Sequence, residues 1–316
     1  MEYNKKFLIV GAQSTPAKTL AFYLTERFSE SLVICLDSRP IDEFMQHPRI
    51  KFIQTAYSIG QFNNLFANIT FDAIFMVGKL INDIKNPGSI TELDVGQIQI
   101  FRLLQLSQKS QVKKIIFLSS FNVYEGSKLQ TSTGLSEEAP LHVQKDSPYY
   151  KRKMQEEDLY LSRWMNRNKA TIEIIILRPS NIFGPHIKSG LQQLLLKNKT
   201  IIAHKNMPFQ LLHEIDLASV MLESLSFPTG IYNVSSETTI TLQEILQILD
   251  IKRWILPPQI GRWQHQAKLN FKTPLLWPNL QPFSLKIDSS KLDSVFPRKK
   301  LFRYSPTETL KSINIL

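Results

Sequence analysis

Tyr149 and Lys153 are spaced i, i+4, so on a helix they share one face. A phenol titrates near ~10 and is a poor base at neutral pH, but a neighbouring ammonium favours the phenolate. Ser119-Ser120 closes the apolar run Lys114–Leu118, and the Ser120 hydroxyl can hydrogen-bond the same oxygen that a phenol would serve. Ser120, Tyr149 and Lys153 together could move a proton on a hydroxyl or carbonyl while a redox cofactor changes oxidation state.

A second group of residues could hold such a cofactor. Gly11 follows the first apolar run, and Val10-Gly-Ala-Gln-Ser-Thr-Pro-Ala17 leads into a helical pattern. A dinucleotide needs a tight turn there, a close backbone approach to its pyrophosphate and a helix N-terminus aimed at it. Gly11 suits the turn. Ser14 and Ala17 stand where two further glycines would help, and the Ser14 hydroxyl could itself donate to phosphate. Thr15-Pro16 reads as N-cap and first helical residue. Asp37, closing the second run, can take both ribose hydroxyls and repels a 2′-phosphate, which favours NAD. Arg39, two residues on, could instead serve NADP.

These residues need a scaffold that brings strand ends together. Short apolar runs occur at Phe7–Val10, Leu32–Leu36, Lys51–Gln54, Phe71–Val77, Lys114–Leu118 and Ile172–Leu177. Helix-length segments separate them, notably Pro16–Phe28, about Ile90–Ser110 and Tyr149–Asn168. Six such runs in alternation are repeated βαβ units, hence a parallel sheet covered on both faces. The expected fold is α/β, a Rossmann-type doubly wound parallel sheet with a smaller C-terminal substrate lobe. The expected boundaries are 1–178 for the dinucleotide-binding domain, with 211–235 returning to it, and 179–316 for the lobe. The last third is irregular: Pro257 to Pro306 holds 7 of the 17 prolines, and Trp254, Trp263 and Trp277 are three of the four tryptophans. That stretch is either a lid, a partner surface or a packed connection.

Composition narrows the classes. The 316 residues are 43% hydrophobic and 21% charged, which excludes a disordered or collagen-like chain. Cys35 is the single cysteine, so no intrachain disulfide or thiolate metal cluster can form, and no metal site is expected. No apolar run reaches the ~18 residues of a membrane span, and no signal-peptide pattern opens the chain, so a cytoplasmic protein is expected. Lys and Arg outnumber Asp and Glu by 38 to 27, a balance that admits nucleic acid, an anionic membrane surface or a phosphate-bearing small molecule. The positive clusters are dispersed: Lys5-Lys6, Lys113-Lys114, Lys151-Arg152-Lys153 and Arg298-Lys299-Lys300. No zinc-finger, RNP or KH pattern supports nucleic acid. Glycine is scarce, 11 of 316 against a usual ~7%, and part of the deficit falls in the phosphate loop.

The chain resembles the extended short-chain dehydrogenase/reductases, the NAD-dependent epimerase/dehydratase family, over nearly its whole length. The resemblance rests on Phe117–Tyr124 with Ser120 at the catalytic position, Ser147-Pro148-Tyr149 through Lys153, Leu177-Arg-Pro-Ser-Asn-Ile-Phe-Gly-Pro185, His213-Glu-Ile-Asp216, Gly230–Val234, and Ile287-Asp288 to Thr307. It implies NAD, or NADP, bound by Gly11, Ser14, Thr15, Pro16, Asp37, Ser38, Val77, Gly78, Lys153, Pro179, Asn181 and Ile182. It implies Tyr149 as base and acid, and a substrate, a sugar nucleotide, met by Ser120, Asn122, Tyr149, Asn181 and His213. It also implies a homodimer built from the two long helices. Departures are Ala56, Gly96, Gln99, Ile100 and Phe209, beside Ser14 and Ala17. Dehydratases of the family carry an Asp-Glu pair after the catalytic Ser. Here Phe121-Asn122 stands there, which argues for an epimerase or reductase. A non-catalytic dinucleotide sensor or scaffold on the same fold is the alternative.

Overall fold

The computed structural model describes residues 3–40, 46–55, 59–78, 92–124, 134–141, 149–167, 172–187, 189–260 and 279–315. They group into two compact units. The first comprises 1–123, 141–178 and 218–232; the second comprises 124–140, 179–217 and 233–316.

The first unit is built on a seven-stranded sheet. Its leading strands are β1 (Lys5–Val10), β2 (Ser31–Asp37), β3 (Ile50–Gln54), β4 (Ala73–Met76), β5 (Lys114–Leu118) and β6 (Glu173–Pro179). A later strand, β11 (Gly230–Val234), completes the order β11-β6-β5-β4-β1-β2-β3. The pairs from β3 through β6 are all parallel. Parallel strands covered on both faces bury every side chain, which is why they stand out as continuous apolar runs. β2, Ser31–Asp37, is buried throughout. The strand order reverses between β1 and β4, and open α/β sheets bind ligands outside the carboxyl ends of strands at such a reversal.

Helices α1 (Thr15–Arg27), α2 (Ile59–Asn68), α3 (Glu92–Lys109) and α4 (Tyr149–Arg167) fill the connections. Phe62, Phe66, Leu103, Leu104 and Leu161 from three of them pack with Leu8, Ile34, Ile74, Ile115 and Ile174 of the sheet in one apolar core. Cys35 is buried in β2, and burial pushes its thiol up to about 12.

The second unit uses shorter pieces. Strand β7 (Asn181–Phe183) pairs in parallel with β10 (Leu211–His213), β8 (Thr200–Ile202) in parallel with β13 (Trp254–Leu256), and β9 (Pro208–Phe209) antiparallel with β12 (Ile240–Thr241). Helices α5 (Gly190–Lys197) and α7 (Leu242–Ile248) accompany them, and α6 (Glu214–Glu223) begins in this unit and continues as residues 218–223 of the first. Phe183, Leu191, Leu195, Phe209, Leu242 and Ile245 form its core.

Buried amide side chains do much of the joining here. Asn181 Nδ2 donates to the carbonyls of Gln210 (3.1 Å) and Phe283 (2.8 Å). Gln210 in turn bonds Ile287 N–H (2.9 Å) and C=O (3.1 Å). Asn233 accepts from the Tyr124 hydroxyl at 2.6 Å and donates to the carbonyls of Leu135 and Asp288. Among the described residues, no helix is long and apolar enough to cross a membrane, and no three His, Cys, Asp or Glu side chains are grouped to hold a metal.

Candidate functional site

The turn after β1 sits at the strand-order reversal. Gly11 has φ +80°, a conformation that costs an L side chain ~1–2 kcal/mol. A Cβ on Gly11 would overlap the backbone of Gly78, and one on Gly78 would lie 2.5 Å from Gly11 Cα. Val77 and Gly78 both donate to the Val10 carbonyl at 3.0 Å. The ends of β1 and β4 thus meet through two glycines, backbone against backbone.

Helix α1 points its N-terminus from this turn. Ser14, not Thr15, is its N-cap, and Thr15 and Pro16 are already helical. The shift by one residue follows from Ser14 holding extended φ/ψ (−78°, 146°) while its carbonyl accepts from Lys18 N–H. The Ser14 side chain makes no capping bond and the first turn carries no acid, so the positive end of the helix is not neutralised locally. That donor set fits a pyrophosphate.

Asp37 lies at the end of β2 with its carboxylate already engaged. Oδ2 accepts from Gln13 N–H (2.9 Å) and Arg39 Nη2 (3.1 Å), and Oδ1 from Arg39 N–H (3.0 Å) and Nε (3.1 Å). Burial raises the carboxyl's pKa, but the Arg39 guanidinium and the two N–H donors outweigh it and hold the group below its ordinary range. A ribose diol can reach these oxygens only where Arg39 gives way. Ser38 is exposed and receives Gln54 Nε2 on its carbonyl.

The serine pair after β5 splits. Ser119 Oγ donates inward to Asp158 Oδ2 at 2.5 Å. Ser120 Oγ accepts from Asn122 N–H and from Asn122 Nδ2, each at 3.2 Å. With two bonds accepted, what Ser120 has left to offer is its hydrogen. Tyr149 and Lys153 lie in the first turns of α4, spaced to share a face, and their side chains fall outside the described residues. Two of its side chains, Gln155 and the Asp158 that receives Ser119, fix that helix against the turn after β5. Gln155 Nε2 donates to the Asn122 carbonyl at 3.2 Å. Asp158, fully buried, takes a bidentate pair from Arg178 of β6, at 2.6 and 3.0 Å. Asp158 and Gln155 escaped the sequence reading. The signal was present in the buried Arg178 of the Arg-Pro motif, which needed a carboxylate.

The remaining expected site residues belong to the second unit or border it. Pro179 ends β6, and Asn181 and Ile182 open β7; the Asn181 amide nitrogen is committed to two carbonyls. His213 is buried, stacked on Tyr304 at 3.6 Å, with Nδ1 accepting from Ile215 N–H and Nε2 on Ser312 Oγ. Burial, helped by nearby His186, lowers its pKa to about 4. Next to it, Glu214 packs its carboxyl against Gly184, where a Cβ would displace that side chain, and accepts from His186 N–H (3.3 Å) and Nδ1 (3.2 Å). Burial raises the Glu214 pKa. Phe209 and Ile100 are buried core residues, while Ala56 lies outside the described residues.

The model of the NAD dependent epimerase/dehydratase family matches residues 7–235. The chain belongs to this family. The match spans every strand of the seven-stranded sheet except the first residues of β1, and it includes Gly11, Asp37, Ser120, Tyr149 and Lys153. No curated protein matches the chain. Among solved structures, dTDP-glucose 4,6-dehydratase from Bacillus anthracis, in complex with NAD, superposes with a TM-score of 0.72 at 15% identity, covering 98% of this chain and 95% of that one. UDP-glucose 4-epimerase from Thermotoga maritima, with UDP-glucose, gives 0.70 at 16% over 98% and 97%. Pal from Bacillus thuringiensis gives 0.70 at 20% over 98% of each. At these identities the likeness establishes the shared Rossmann-type fold.

Proposed function

We propose that the chain is an NAD(P)-dependent epimerase or reductase of a sugar nucleotide, working through Ser120, Tyr149 and Lys153. The observation that carries the reading is the double lock on α4. Gln155 on Asn122 and Asp158 on Ser119 tie the helix that bears Tyr149 and Lys153 to the turn that bears Ser120. A site that must hold three groups to within a fraction of an ångström needs such support.

In this reading Gly11, Gly78 and the N-terminus of α1 hold the pyrophosphate, Asp37 the adenosine ribose and Lys153 the nicotinamide ribose. The bound dinucleotide supplies reversible two-electron chemistry at a carbinol carbon. Tyr149 takes and returns the proton of the substrate hydroxyl, with its phenolate favoured by Lys153. Ser120 donates its hydrogen to the same oxygen. Phe121 is buried, the Asn122 side-chain nitrogen donates to Ser120, and neither a phenyl nor an amide side chain titrates. These two positions therefore offer no acid–base pair for eliminating water, which favours epimerisation or reduction over dehydration. The second unit, 179–217 and 233–316 with 124–140, is assigned to the substrate, and the dimer to α3 and α4.

The test is calorimetric titration with NAD and NADP, alone and with UDP- and GDP-sugars. Binding of at least one dinucleotide is expected, and Tyr149→Phe should abolish turnover while leaving that affinity within about twofold. No binding of either dinucleotide under any condition would sink the proposal. A dinucleotide sensor without turnover is the second reading, favoured by the Arg39 occupation of Asp37. It requires that Tyr149→Phe leave the biological activity unchanged.

A further inference from the structure

The second unit presents an aromatic and basic patch that the proposed reaction does not use. Trp254, the first residue of β13, is 77% exposed, and Leu196 at the end of α5 is 43% exposed. Trp254 N–H donates to the Lys199 carbonyl at 2.9 Å, and β13 runs parallel to β8 in register Trp254↔Thr200. Arg253 turns its guanidinium inward: Nε and Nη2 donate to the carbonyls of Leu195 and Leu196, and Nη1 to that of Lys252. A cation closing a helix C-terminus in this way fixes α5 against β13. Exposed Lys197, Lys199 and Lys252 therefore gather around an exposed indole and leucine. Among the described residues none of these lysines makes an ion pair, and Lys197 only reaches Gln193 Oε1. Asp250, exposed, is the single acid beside them in sequence.

The surrounding sequence has the same bias. From Ile251 to Ile287 the chain contains no Asp or Glu but six Lys or Arg and three of its four tryptophans. A solvated surface face of ordinary composition mixes both signs.

We propose that this patch is a docking surface for an anionic lipid membrane, to which the protein binds peripherally and reversibly. An indole has an apolar body and one N–H, the combination that settles at headgroup depth. Ammonium groups near a negatively charged leaflet each strengthen binding about fivefold. The positive charge calls for an anionic partner, and the side-chain chemistry favours the lipid surface over nucleic acid. The side chain suited to forking a phosphate or reading a base edge, Arg253, has its donors spent on carbonyls, leaving flexible point charges around one inserted ring. The proposal is independent of the reaction assigned above.

The full chain can be sedimented with vesicles of phosphatidylcholine alone and with vesicles containing about one-third phosphatidylserine. Sedimentation is expected only with the anionic vesicles, weakening steeply with added salt. Tryptophan emission should shift to the blue on binding. Trp254→Ser should weaken binding about tenfold and remove most of that shift. Lys199→Gln with Lys252→Gln should weaken it about twenty-fivefold. Because these side chains are exposed, the variants should melt with the wild type. The proposal is overturned by equal binding to both vesicle types, by no binding to anionic vesicles at low salt, or by a Trp254→Ser variant that binds as wild type. It is equally overturned if the patch instead binds a single-stranded oligonucleotide, or mediates self-association, with vesicles left unbound.

Discussion

Arg178 and Asp158 form a bidentate ion pair with both side chains at or below 1% exposure. The pair joins β6 to the helix that carries Tyr149 and Lys153, and Ser119 and Ser162 complete the carboxylate's shell. Removing one partner strands the other charge in the interior, a loss of about 3–5 kcal/mol. Asp158→Ala should show that drop in urea unfolding. Asp158→Leu combined with Arg178→Met should recover much of it, because no charge is left behind. Equal stability of the single and double variants would contradict this account.

Arg39 gives an opposite kind of prediction. Its side chain is exposed yet engages the oxygens of Asp37 that a ribose needs. Arg39→Ala should tighten NAD binding about fivefold, the worth of one partly exposed ion pair, and weaken NADP relative to NAD. Titration of both dinucleotides against both proteins reads the ratio. Weaker NAD binding in the variant would show that Arg39 helps the cofactor and does not compete with it.

The glycine contact at the strand-order reversal is a packing constraint with two unequal halves. Gly78→Ala meets only overlap with Gly11 and should cost about 1–3 kcal/mol. Gly11→Ala adds the cost of φ +80° and should be the more damaging, by about 1–2 kcal/mol. Chemical denaturation of the two variants side by side checks the order.

Two buried groups three residues apart push the pH dependence in opposite directions. His213 has its pKa lowered to about 4, so below its ordinary 6.5 the unfolded chain takes up a proton that the folded chain refuses. Its contribution is lost as the pH falls, by about 2 kcal/mol at pH 5. Asp216 is raised to about 6 by burial, against the N–H donors of Arg303 and Tyr304. It favours the folded state at low pH and loses that contribution as the pH rises through about 6. His213→Asn, which keeps an acceptor for Ile215 N–H, should flatten the fall in melting temperature between pH 7 and 5. An unchanged slope would remove His213 from the account.

The sheet was legible because parallel strands buried on both faces write themselves as apolar runs. All six expected runs became β1 to β6, and Gly11, Asp37 and Ser120 fell at strand ends as their positions after those runs required. What the sequence did not disclose depends on three-dimensional neighbours. The Arg178–Asp158 pair joins residues 20 apart through the packing of α4, and the engagement of Asp37 by Arg39 depends on a rotamer. The N-cap moved from Thr15 to Ser14 because both are good caps and only backbone geometry decides between them. The second unit has two- and three-residue strands, too short to show a period, so its order was hidden.

The amide staples of the second unit bear on the order of events during synthesis. Asn181, Gln210 and Asn233 find their partners at Phe283, Ile287 and Asp288, and Leu135 exchanges backbone bonds with Lys286 and Asp288. Until those last residues have left the ribosome, three buried amides lack the carbonyls and N–H groups that satisfy them. The second unit therefore cannot complete itself before residue 288 has emerged, whereas β1 to β5 have all their sheet partners by residue 179 and β6 waits only for β11. A nascent chain stalled near residue 280 would hold its paired strands next to an unfinished, protease-sensitive tail.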